Sequence, residues 1–209
     1  MAVYSDIRYN FTPPESTTSA QVGTSVQQLI KTITVSSGTA DVSFIHGSND
    51  VVFDSTYKSY LFKVIEVHVS LDSGVKLGFQ GTTDGSNFTG ITNNSNYVQC
   101  IKEEDDGYEA LQYDQTYDIA NDTYPIYMWH DTGNDNDQNS VSELWIGNPS
   151  QTDFFKPFFI HSTCNQRADS NNTPRISGVL QTTSAVTGIK FSINDGNIDS
   201  AIFKMYGIK

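Results

Sequence analysis

Cysteine is nearly absent: Cys100 and Cys164 are the only two in 209 residues. Each lies in an apolar, strand-like run, which reads as a pair of buried free thiols acting as small hydrophobes. Whether they pair depends on geometry that a sequence does not carry. The spaced cysteine and histidine pairs of a zinc site are missing. So is any apolar run of 18 residues, which argues against a transmembrane helix. The start, Met1-Ala2-Val3-Tyr4-Ser5-Asp6, has neither the basic nor the apolar region of a secretory signal. Basic residues are scarce, 12 Lys and Arg against 24 Asp and Glu, for a formal charge of −12. A chain so charged repels nucleic acid and anionic membranes, so neither is expected as a partner. Nucleophile elbows, phosphate loops and dinucleotide fingerprints are missing as well. The four histidines, His46, His68, His130 and His161, show no metal-ligand spacing.

What is present is alternation. Ala40, Val42 and Phe44 alternate with polar residues, as do Val75, Leu77 and Phe79. That is the period of half-buried strands. Tyr60 to Val69 is apolar on both sides, with Tyr60, Phe62 and Val64 on one and Leu61, Ile65, Val67 and Val69 on the other. Such a strand is expected to be central and covered twice, by the core and by a neighbour or subunit. Asp72-Ser73-Gly74 and Asp195-Gly196-Asn197 read as hairpin turns. Further strands are expected over 97–101, 124–129, 141–146, 154–164, 176–180, 188–193 and 201–208. Residues 102–117 read as a turn or short helix anchored by Leu111. Polar loops are expected over 81–96, 130–140 and 165–173.

Many short strands, regular turns and no helical period predict an all-β protein: an antiparallel, jelly-roll-like β-sandwich over residues 27–209. A chain of this length buries roughly 70% of its unfolded surface, enough for one core. Residues 1–26, with Pro13-Pro14 and a Ser/Thr-rich stretch, read as an extended arm with too little apolar surface to fold on itself.

Sites are weighed against plain structural roles. Glu103-Glu104-Asp105-Asp106 reads as a solvated charge run, since glycosidase carboxylates must face each other across a cleft. Asp131, Asp135 and Asp137 offer alternating oxygens, but the glycine and glutamate of a calcium-binding EF-hand loop are out of place. No catalytic, cofactor or metal residues are therefore assigned. Tyr97, Tyr127, Trp129 and Trp145 are candidates for stacking on a glycan, against a default role in core or interface.

Four stretches carry a family resemblance. They are Phe53-Asp54-Ser55-Thr56-Tyr57-Lys58-Ser59-Tyr60-Leu61-Phe62; Gly78-Phe79-Gln80 with Asp84-Gly85-Ser86-Asn87-Phe88; Ser142-Glu143-Leu144-Trp145-Ile146-Gly147-Asn148-Pro149-Ser150; and Gly188-Ile189-Lys190-Phe191-Ser192 with Gly196-Asn197-Ile198 and Lys204-Met205-Tyr206-Gly207-Ile208-Lys209. In order and spacing they resemble small virion structural proteins of tailed bacteriophages, especially phages of marine bacteria. Asp195 and Ala201 depart from that pattern, where Ser and Gly are usual. The likeness spans residues 29–209 and skips the arm.

The resemblance implies a non-enzymatic component of the virion, made in the host cytoplasm and assembled into the phage particle. A tail fibre or appendage protein, anchored by residues 1–26, is the first expectation. A capsid decoration protein is the alternative, and a carbohydrate-binding module for host recognition is another. The implied partners are further copies of the chain, a trimer first, and other capsid or tail proteins, with a host surface glycan if the third reading holds.

Overall fold

A computed structural model describes residues 27–72 and 74–209; the proposed arm, residues 1–26, lies outside the described residues. Among them are thirteen strands and no helix. Nine strands build a large sheet: β1 (Gln27–Val35), β3 (Ser59–Val69), β5 (Asn93–Glu103), β6 (Glu109–Tyr113), β7 (Ile119–Asp122), β9 (Ser140–Gly147), β10 (Lys156–Gln166), β11 (Ser170–Leu180) and β13 (Ile198–Ile208). Four build a small one: β2 (Asp41–Ile45), β4 (Lys76–Thr82), β8 (Ile126–His130) and β12 (Gly188–Ile193). The large sheet is ordered β1-β13-β3-β9-β10-β11-β5-β6, with β7 also on β5, and the small one β2-β12-β4-β8. All pairs of strands are antiparallel. The two sheets pack as the expected sandwich.

The core between them is aromatic. Phe62 of β3 meets Phe44 of β2 at 5.4 Å and Phe191 of β12 at 5.5 Å between ring centroids. Phe191 in turn lies 5.5 Å from Phe203 of β13. Phe53 stacks on Tyr60 at 4.6 Å, and the Tyr60 hydroxyl donates to the Asp54 carbonyl while accepting from the Asp54 N–H. Both Tyr60 bonds close onto the chain leading into β3, and burial raises its pKa to about 12. Tyr57 packs over Gly207, where an added Cβ would fall 2.4 Å from the ring. The first and last of the four motif stretches are therefore one packing unit. Asp84 accepts from the N–H groups of Ser86 and Asn87 at 2.8 and 2.7 Å, with Gly85 at φ 78°. These bonds hold its carboxyl far below the usual range.

Four local expectations need correction. Tyr60 to Val69 does not keep the two faces that strict alternation assigns it. A bulge between Val64 and Val67, with Glu66 at φ 53°, inserts one residue and reverses the parity of the rest of the strand. Val67 and Val69 thereby join Tyr60, Phe62 and Val64 in the core, leaving Leu61 and Ile65 on the far side. The supposed hairpins at 72–74 and 195–197 are crossings: β3 and β4 belong to different sheets, as do β12 and β13. A tight turn reverses the chain equally well within a sheet or between two. Residues 102–117 hold turns at 104–105 and 115–117, as expected, but no helix and no anchor at Leu111, because β5 and β6 form a hairpin that leaves Leu111 79% exposed. Finally, residues 165–173 are mostly strand, with β10 and β11 joined through 167–169 and Asp169 at φ 50°.

Candidate functional site

The sandwich is lopsided, and its outer surfaces differ. The small sheet is dressed by its own loops. Gln80 points outward from β4 yet is 5% exposed, donating to the Thr123 carbonyl at 3.0 Å. An added Cβ on Gly78 would meet Pro125 at 2.9 Å, and Lys190 lies 5.0 Å above the Phe88 ring.

The outer face of the large sheet carries no such cover among the described residues. Its register places side chains in rows across the strands. One row runs Leu29–Tyr206–Leu61–Trp145–Phe159, a continuous apolar stripe over five strands. Trp145 and Phe159 lie nearly parallel, 5.8 Å apart at 11°. The adjoining row runs Lys204–Lys63–Glu143–His161–Arg175. Lys63 and Glu143 pair at 3.0 Å. Val141 and Phe159 are 45% and 43% exposed, and shallow depressions beside them are lined by His161, Arg175 and Ser177.

The same strands' inner face holds a buried polar cluster. His130 ends β8 with Tyr117 stacked on its ring at 4.1 Å. Its Nε2 meets Gln99 Oε1 at 2.8 Å, which also accepts from Asn172 Nδ2 at 2.8 Å. Gln99 Nε2 donates to Asp114 at 2.8 Å. The shared acceptor assigns the ring proton to Nε2, since Gln99 Oε1 has no hydrogen to give. Burial lowers the His130 pKa, against the opposing pull of Asp131, whose carboxylate lies 3.6 Å from Nδ1. A neutral imidazole, held at Nε2 by Gln99 and stacked on Tyr117, fills this end of the sandwich. It is closed to substrate, being 6% exposed.

The glycan candidates part company here. Tyr97 and Trp129 have no exposed surface, so neither ring offers a stacking platform. Trp145 and Tyr127 are partly exposed, but on opposite sides of the sandwich, and Tyr127 carries Lys76 at 5.6 Å from its ring. Phe159, the cross-strand neighbour of Trp145, escaped the sequence reading. Both are flanked by core-facing apolar residues, Leu144 and Ile146 about Trp145 and Phe158 and Ile160 about Phe159, so alternation does not mark either as outward, and only the β9–β10 register sets them side by side.

Asp131 turns toward His130 and Arg167, while Asp135 and Asp137 are exposed. No group of three His, Cys, Asp or Glu placed to hold a metal ion occurs among the described residues. The acidic run caps the β5–β6 hairpin, where Lys102 pairs with Asp106 and Glu109. Cys164 is buried, with its thiol pushed up to about 12, but Cys100 is exposed on the outer face, which corrects the expectation of two buried thiols. Both are free. No family model, curated protein or solved structure matches the chain.

Proposed function

We propose that the protein is a non-enzymatic structural component of a tailed-bacteriophage virion, a subunit of a tail fibre or appendage that works as a homo-oligomer. One observation carries this reading: a broad sheet face crossed by an apolar stripe that is exposed at Leu29 and Phe159 and half-buried at Tyr206 and Trp145. Large uncovered apolar surface marks a place where another macromolecule sits. The four motif stretches support the phage assignment. Residues 1–26 supply the attachment to the rest of the particle.

The test is direct. Purified particles of the source phage, labelled with antibody to this chain, should show it at the tail. Label over the capsid shell would favour the decoration reading instead, and absence from purified particles would refute both. Deletion of residues 1–26 should leave a folded protein that no longer enters particles.

A further inference from the structure

We infer that the outer face of the large sheet, centred on Trp145 and Phe159, docks a second copy of this chain. The inference rests on the reading of the protein as an assembly subunit and names the surface involved.

Charge is the first argument. The chain carries 24 carboxylates and a net charge of −12, so two copies repel over most of their surfaces. The central rows of this face depart from that pattern. Lys63, Arg175 and Lys204 stand there with a single carboxylate, Glu143, already paired to Lys63. The acidic residues gather instead at turns, as in the run 103–106. A face that combines low negative charge with apolar rings is where like-charged copies meet at least cost.

Area is the second. Eight strands in the ordered path, at about 4.8 Å spacing, give a width of about 34 Å. The longest strands have 11 residues, for a length of about 36 Å. With β1, β9 and β6 shorter, at 9, 8 and 5 residues, the face offers about 1,000 Å² in plan, more than the ~800 Å² per partner of a standard interface. The alternation of rows adds complementarity. Beside the apolar stripe, the charged row offers both signs, so a copy related by a two-fold axis can set Glu143 against Arg175 or Lys204.

Sedimentation of the full chain at tens of micromolar tests this. The wild type should associate, and raised salt should strengthen association by screening the net charge. Trp145→Ser with Phe159→Ser should weaken it about tenfold or more, as expected on losing a central interface anchor. The single Phe159→Ser variant, with its melting temperature, guards against misfolding. Tyr124→Ser, 66% exposed outside the large sheet, should associate like the wild type. A monomeric wild type, or unchanged association of folded Trp145 and Phe159 variants, would overturn the inference. So would a monomer that binds host polysaccharide through the same two rings, or one that binds only an acidic protein and releases it in salt. Failure of the docking idea leaves the virion reading standing if the chain is found in particles. An oligomer missing from particles does the reverse.

Discussion

The outer faces of the two sheets are both built from every second strand residue and end in opposite states. On the small sheet, chain returning from β4 and β7 lies over the strands, so the outward Gln80 is buried and bonded and Gly78 has no room for a methyl group. On the large sheet the corresponding positions hold Trp145, Phe159 and Val141, and nothing among the described residues covers them. A side chain's outward direction therefore does not decide its exposure; the loops do. The small sheet is completed by its own chain, whereas the large one keeps its stripe free of such cover among the described residues.

Substitutions can break or sharpen this contrast. The interior sets the scale: Phe62→Ala, between the sheets, should cost about 3–5 kcal/mol in urea unfolding. Gly78→Ala should cost about 1–3 kcal/mol by pressing on Pro125. Gly147→Ala, pointing out from the large sheet with its nearest neighbour at 3.4 Å, should cost less than Gly78→Ala. Equal losses at the two glycines would erase the distinction between a covered and an open face. Gln80→Ala should cost about 1 kcal/mol, through the lost bond to Thr123. Phe159→Ser should change monomer stability by no more than about 0.5 kcal/mol, as at an exposed site.

Acidification probes the inner face separately. The folded pKa of His130 is lowered by burial, so its contribution is complete above the unfolded value near 6.5 and is lost as pH falls toward the folded value. Urea midpoints should decline below about pH 6.5, and His130→Gln should flatten that slope. Asp54, held low chiefly by its bonds with Thr56, acts in a separate window below about pH 4. A wild-type midpoint unchanged between pH 6.5 and 5 would contradict the buried neutral imidazole.

Much of the architecture was legible. Strand residues such as Val42, Phe44, Leu77 and Phe79 alternate because one side faces oil and the other water, and that pattern survives in any strand order. The bulge at Glu66 was not legible, because it is a non-glycine residue held at positive φ by pairing on both flanks of β3. Nor could turn chemistry reveal that 72–74 and 195–197 cross between sheets. For the candidate site, Trp145 was visible as an aromatic in the strand-like run 141–146. Its partnership with Phe159 was hidden because the strands that hold them meet only through long-range register. Tyr97 and Trp129 misled because an aromatic beside a polar loop looks the same in sequence whether it faces out or in.

The sequence by itself determined the all-β class and the acidic balance, since these follow from local alternation and composition. Tertiary structure decided the division into nine and four strands, the burial of His130 and the exposure of the Trp145–Phe159 pair. Those outcomes depend on which strands become neighbours and where the loops return, and period-two alternation is indifferent to both.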